Sequence, residues 1–439
     1  MGPHDLDSWC NPDTCPDEPP PRERMSSATR TLHDAIDARA RATGIPWLHP
    51  GGPTIQLDQG GSGPIVAWQE RKGELTFSGE ACWAELPPIY ARYGTPQTLE
   101  LIRAVKAMEK AQAALVTDCG MQAIALTFDT LMQPGAHAVL MRQVYAKTAT
   151  YLELLASRIG GRVTVVDDGD WEGLRAAIEP KTALLFAETF TNPRLRAQNP
   201  ERLGALAQRA RREIAPDLRL ILDTTIASPW GLKQPALSWP GVDVIASSGT
   251  KSAGGQDQDL WGYIATNDVG LANQIMDLMA MRGGIVESRR AAVIAEGLSS
   301  RAPADFERRC RTATAVAEFL ARHPRVSEVF HPSRPDHPDR ATVEAYYRYP
   351  GSLLSFRVAG ADEQETSRVA DRIAQTGIIR YALSFDGLVS KVNHHKTVSE
   401  FFTPDPVLRR NGFDRLVRLG IGLEDETDLC ACLGWALKG

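Results

Sequence analysis

The chain has 439 residues, 23% charged and 43% apolar, long enough to bury a large core and to form two or three domains. Its 49 basic and 54 acidic residues leave a formal net charge of −5, which argues against a nucleic-acid binder and gives no pull toward anionic membranes. No apolar run approaches the ~18–20 residues of a membrane span. With no apolar export segment in Met1–Pro21, the seven cysteines read as reduced thiols of a cytoplasmic protein.

In chain order, residues 1–25 are rich in Pro, Asp, Glu and Arg and are expected to be poorly ordered. Leu32, Ala35, Ile36 and Ala40 predict an amphipathic helix over Ser27–Thr43, followed by a loop-rich arm to residue 89. A regular alternation then begins. A helix over 97–111 precedes an apolar strand, Ala113–Thr117, and a second helix opens near Gly120. Strands are predicted at His137–Met141, Val163–Val166, Thr182–Ala187 and Leu218–Leu222, with helices at 147–158, 171–178 and 199–213, and short apolar runs follow at Val242–Ala246 and Tyr263–Ala265. Apolar strands alternating with helices imply a mainly parallel sheet covered on both faces. Beyond residue 304 the order changes. A helix over 304–322 precedes strands at Val326–Phe330, Ser352–Val358, Ile378–Leu383 and Leu416–Ile421, with helices at 363–375 and 426–437, which suggests a smaller α+β domain.

Chemistry concentrates in Ser247-Ser248-Gly249-Thr250-Lys251-Ser252-Ala253-Gly254-Gly255, a lysine in a glycine-rich turn just after an apolar strand. Such a lysine can be desolvated and made nucleophilic, and the hydroxyls and N–H groups beside it suit a phosphate. Taken alone, the segment is equally compatible with an ordinary solvated lysine. Asp223 ends a second apolar strand 28 residues earlier, where a carboxylate can hold a protonated pyridine nitrogen. Together the two segments point to pyridoxal 5'-phosphate (PLP).

Eight segments, in order, resemble the cystathionine γ-synthase family, the fold-type I PLP enzymes of cysteine and methionine metabolism. They are Tyr90-Ala91-Arg92, Asp118-Cys119-Gly120-Met121, Val144-Tyr145-Ala146-Lys147-Thr148, Glu188-Thr189-Phe190-Thr191-Asn192-Pro193, Asp223-Thr224-Thr225, Ser248-Gly249-Thr250-Lys251, Glu296-Gly297-Leu298 and the stretch Val417–Asp425. The resemblance implies an α/β fold of the fold-type I transferase class. It would comprise an N-terminal tail and arm (1–89), a PLP-binding large domain with a mainly parallel sheet (90–292) and a small C-terminal α+β domain (293–439).

Roles follow from the same resemblance. Lys251 would hold PLP covalently and shuttle protons, Asp223 would pair with the ring nitrogen, and Tyr145 would stack on the ring and act as acid or base. Gly120 and Met121, which open a helix, would offer N–H groups to the phosphate, with Ser248, Thr250 and Thr225 adding to the cofactor site. Arg418 would grip the substrate α-carboxylate, beside Ser384 and Asn192. Tyr90 and Arg92 would reach the phosphate of a neighbouring subunit, implying a homodimer at least and a homotetramer as a dimer of dimers. The expected reaction is γ-replacement on an amino acid with a γ-leaving group. The alternatives are β- or γ-elimination, transamination, and a binding or scaffold protein that has lost turnover.

The sequence also departs from the family pattern. Asp118 stands where a small residue is usual, Ser252 rather than Tyr follows the lysine, Gly255-Gln256-Asp257-Gln258-Asp259 replaces Gly-His-Ser-Asp, and Ser384-Phe385-Asp386 replaces Ser-Leu-Gly. Acids added near the pocket would favour a cationic substrate such as a sulfonium. The pair His394-His395 lacks a third ligand, so no metal site is expected.

Overall fold

A computed structural model describes residues 90–254, 257–400 and 403–438, together with 82–85 and eight positions between 26 and 38. The described positions from 27 to 38 are helical, as the periodicity predicts; the rest of that helix, and the arm from 44 to 81, lie outside the described residues. The chain divides into two units, one holding the described parts of 26–38 and 90–95, the other 82–85 and everything from Pro96 onward.

The second unit carries two sheets. The larger has seven strands: β1 (Ala113–Thr117), β2 (His137–Met141), β3 (Arg162–Val166), β4 (Thr182–Glu188), β5 (Arg219–Asp223), β6 (Val244–Ser247) and β7 (Gly262–Thr266). Their order is β1-β7-β6-β5-β4-β2-β3, and β7 alone runs antiparallel to its neighbours. Every residue of β1, β2, β6 and β7 is buried, which explains why these strands read as unbroken apolar runs rather than alternations. Leu220, Ile221 and Leu222 of β5 are fully buried, each contributing about 1.5–3 kcal/mol relative to an exposed side chain. The parallel strands β4, β5 and β6 end side by side, Glu188 opposite Asp223, so their carboxyl ends place Glu188, Asp223 and the Lys251 turn along one edge of the sheet.

The smaller sheet has the order β10-β11-β12-β9-β8, formed by β8 (Val326–Phe330), β9 (Leu353–Val358), β10 (Arg380–Tyr381), β11 (Lys391–His394) and β12 (Val417–Gly420). Helices Ala302–Arg322, Glu363–Gln375 and Glu426–Lys438 pack on it through Ala313, Val316, Leu320, Val369, Ile373, Leu429 and Leu433. Here the structure departs from the apolar-run reading. The strand expected at Ile378–Leu383 shrinks to two edge residues, and its neighbour is the polar segment Lys391-Val392-Asn393-His394, which no hydropathy rule selects. That strand is buried because its polar groups are bonded: Lys391 to Asp257, Asn393 to the carbonyl of Ala382, and His394 to the carbonyl of Asp414. Two further helices, Val269–Arg282 and Ser288–Ser300, escaped the sequence reading. The second runs across the expected division at 292/293 and packs on helix Pro96–Glu109. No helix among the described residues is long and apolar enough to cross a membrane.

A buried polar chain runs beneath the cofactor edge. Tyr263 donates to Glu109 Oε1 (2.8 Å) and lies 3.1 Å from Thr224 Oγ1, which in turn meets Ser247 Oγ at 2.9 Å. Glu109 is fully buried, and burial pushes its carboxyl up to about 7 against the help of Tyr263. The unfolded chain therefore releases this proton first, and stability falls as pH rises from the ordinary carboxyl range through about 7. Between pH 6 and pH 8 the wild type should lose about 1 kcal/mol more unfolding free energy than Glu109→Gln, read by urea denaturation. Equal losses in the two proteins would show that Glu109 holds no proton in the native state.

Candidate active site

Lys251 lies four residues beyond β6. Its amine donates to Ser384 Oγ at 2.5 Å and sits 5.5 Å from the centre of the Phe385 ring. Burial lowers its pKa, reinforced by Lys391 and Arg418 and opposed by Asp386 and Asp257. Burial of this kind disfavours the protonated form and so favours the amine as a nucleophile or base. Arg418, in the middle of β12, is 3% exposed and also lies 5.5 Å from the Phe385 ring. It donates to the carbonyl of Leu383 (2.7 Å) and to Asn192 Oδ1 (3.3 Å). Burial brings its pKa down to about 10, so it remains a cation at neutral pH. Phe385 thus gathers two cationic groups from different segments around one ring, an arrangement suited to an anionic substrate group.

Asp223 is 5% exposed, and its Oδ1 accepts from the backbone N–H of Thr225 (2.8 Å) and from the Thr225 hydroxyl. The Thr225 oxygen in turn accepts from the N–H of Ser248 (2.9 Å). Burial raises the Asp223 carboxyl to about 6, and Glu188 beside it is raised well above its usual range by burial and by Asp223 itself. No Lys, Arg or His forms an ion pair with either acid among the described residues. Two buried, adjacent carboxylates of this kind are completed by a cation, and a protonated pyridine nitrogen is one. Glu188 Oε1 also accepts from the N–H of Tyr145 at 2.5 Å, fixing the start of helix Ala146–Arg158. The Tyr145 ring is left 45% exposed, with area to spare for a planar partner.

The phosphate end is a close approach of backbones. Helix Gly120–Leu131 begins directly after the turn from β1, and its first N–H groups have no partner within the helix. A Cβ on Gly120 would stand 2.5 Å from the Cβ of Ser248, so only glycine lets the helix start meet the lysine turn. Gly120 and Ser248 therefore meet at this helix start, with Met121 next along the helix. The Thr250 hydroxyl accepts from the N–H of Trp261 (2.9 Å) and donates to the Trp261 carbonyl (3.0 Å), bracing the lysine turn against the start of β7. Tyr90 and Arg92 belong to the other unit, where the Arg92 guanidinium lies over the rings of Tyr90 and Tyr93 at 5.2 and 5.3 Å.

The added acids are engaged within the fold, and Asp386 and Asp257 also act on the Lys251 amine. The carboxylate of Asp386, 2% exposed, is bonded to the hydroxyls of Ser252 and Ser352. Asp257 pairs with Lys391 at 2.5 Å, and Asp259 lies 3.9 Å from Arg290. Two of the four acids are thus ion-paired and Asp386 is held by hydroxyls; Asp118, just past β1, keeps one buried oxygen without a partner. His394 and His395 are both buried. The first is bonded to Thr397 and to the carbonyl of Asp414, and the second packs edge-on against Phe413. Sequence reasoning assigned no role to Glu188 or Phe385. Glu188 was detectable, because it ends a buried strand just as Asp223 does. Phe385 was not, because its role comes from what surrounds it.

The fold and these groups define an α/β protein whose candidate site lies at the carboxyl ends of parallel strands. The family profile of Cys/Met metabolism PLP-dependent enzymes matches residues 83–438. Cystathionine gamma-synthase 1, chloroplastic, of Arabidopsis thaliana is 32% identical over 351 residues, covering 80% of this chain and 60% of the relative. L-methionine gamma-lyase of Fusobacterium nucleatum subsp. polymorphum is 29% identical over 353 residues, covering 80% of this chain and 86% of the relative. The structure of the gamma lyase CalE6 from Micromonospora echinospora superposes with a TM-score of 0.73 at 31% identity, covering 81% of this chain and 89% of that one. The chain belongs to the Cys/Met metabolism PLP-dependent enzyme family, and pyridoxal phosphate is its cofactor.

Proposed function

We propose that this chain catalyses γ-replacement on an amino acid carrying a leaving group at Cγ, acting in the cytoplasm as an assembly of at least two subunits. The observation that carries the reading is the convergence of a half-buried, hydrogen-bonded lysine amine and a buried arginine on Phe385. Lys251 would hold PLP through its Nζ, Asp223 would face the ring nitrogen, Tyr145 would cover the ring, and Gly120, Met121 and Ser248 would take the phosphate. Bound there, the cofactor supplies an electron sink for charge developing at Cα. Arg418 binds the α-carboxylate and thereby sets which Cα bond faces the lysine. The amine of Lys251, whose protonated form burial disfavours, takes the Cα proton and can return it elsewhere on the substrate. Tyr145, whose phenol is pushed up by burial, keeps its proton at neutral pH and can give it to the departing γ-group.

Elimination at Cγ is the second reading, favoured by the likeness to the L-methionine gamma-lyase. The two readings share every residue named above and differ in whether a second nucleophile is admitted. Subunit association is supported by the resemblance of Tyr90-Ala91-Arg92 to the element that reaches a neighbouring phosphate. Borohydride reduction of the PLP-loaded protein, followed by peptide mapping, should place the pyridoxyl label on Lys251. A label elsewhere, or none, overturns the assignment. Release of a 2-oxo acid without added nucleophile identifies elimination, and sedimentation velocity gives the assembly.

A further inference from the structure

Three of the positions at which the sequence departs from its family belong to one connected network. Ser252 directly follows the cofactor lysine, and Asp386 lies two residues beyond Ser384. The two are 134 residues apart in the chain, yet the Ser252 hydroxyl donates to Asp386 Oδ2 at 2.5 Å. The other carboxylate oxygen accepts from Ser352, next to β9. The Asp386 carbonyl accepts from Lys391 Nζ, which also pairs with Asp257. Arg309 reaches the carbonyls of Gly387 (3.3 Å) and Ser252 (3.4 Å). Ser252, Ser352, Asp386, Lys391 and Arg309 are all buried.

Two segments, 251–252 and 384–386, are therefore fastened at two points: Lys251 to Ser384, and Ser252 to Asp386. The first link uses the amine that must serve the reaction, so it is lost whenever that amine acts. The second link does not involve the amine and persists. We propose that Asp386 is a positioning residue for the reaction, its carboxylate holding the Lys251 turn against the Ser384 loop through Ser252 and Ser352 while the lysine amine changes partners. This rests on the assignment of the cofactor to Lys251. The Asp386 charge, with that of Asp257, also favours the protonated lysine, against Lys391, Arg418 and burial.

The test uses PLP-loaded wild type, Asp386→Gly, Asp386→Asn and Ser252→Ala. Asp386 has φ +60°, a left-handed conformation that glycine adopts without strain, so Asp386→Gly removes the carboxylate and spares the backbone. In that variant kcat should fall about tenfold with KM within about threefold of wild type. The pH midpoint of the bound cofactor's visible band should move down by about one unit. Asp386→Asn keeps an acceptor but no charge, so kcat should recover to within about threefold while the midpoint stays low. Ser252→Ala keeps the charge and breaks the link, so kcat should fall about fivefold with the midpoint unmoved. Wild-type kcat and midpoint in Asp386→Gly would overturn the proposal. Should that variant fail to fold, wild-type kcat in both Asp386→Asn and Ser252→Ala would overturn it equally. A wild type with no label on Lys251 would instead refute the cofactor assignment itself.

Discussion

Lys251→Ala should lower kcat by about 10³-fold or more, because it removes the base for the Cα proton and the anchor of the cofactor together. No neighbour can replace it. Arg418 remains a cation at neutral pH, and Lys391 is bound to Asp257 and to the Asp386 carbonyl. The variant should fold normally, since the lost amine made one hydrogen bond to a serine and its desolvation opposed its charge. A small primary amine added to the solution should restore part of the rate by entering the space vacated, which separates a missing base from a misfolded site. In the wild type the amine released from the cofactor once substrate is bound is the base, so kcat should rise with pH through its pKa. That rise should be centred below the ordinary lysine value of about 10.4. A midpoint at or above that value, or an alanine variant of near-normal activity, would remove Lys251 from the reaction.

The second large effect is expected at Arg418. Its two terminal nitrogens serve different acceptors, Leu383 O and Asn192 Oδ1, and this geometry holds the guanidinium plane in place for a carboxylate. Arg418→Lys keeps the charge but collapses the donors onto one atom at the end of a flexible stem. The loss should be about 2 kcal/mol in transition-state binding, or about 30-fold in kcat/KM, expressed mainly in KM. Comparing an amino-acid substrate with its α-amide isolates the contact. Wild type should prefer the acid strongly and Arg418→Lys should prefer it little. Unchanged preference in the variant would mean that Arg418 does not touch the carboxylate.

Much of this architecture was legible in the residue order. Most strands of the large sheet, the half-buried edge strand β3 excepted, are buried on both faces and so announced themselves as apolar runs, and the intervening helices fixed the parallel class. Lys251 and Asp223 were legible because each follows or ends such a run. The polar strand Lys391–His394 was not, because its burial depends on partners up to 134 residues away that no local pattern reveals. The partners of the added acids were hidden for the same reason. Composition counts Asp257 and Asp386 as negative charge near a pocket, whereas the fold spends one on Lys391 and the other on two serine hydroxyls.

The sequence by itself determined the family and the cofactor, since the resemblance rests on short motifs that keep their order along the chain. Only the tertiary structure decided how those groups act on one another. It set Glu188 against Asp223 and brought Lys251 and Arg418 to one aromatic ring. It also turned Asp386 inward to grip the residue after the lysine. Desolvation, hydrogen bonding and charge pairing depend on distances in space, and adjacency along the chain does not encode them.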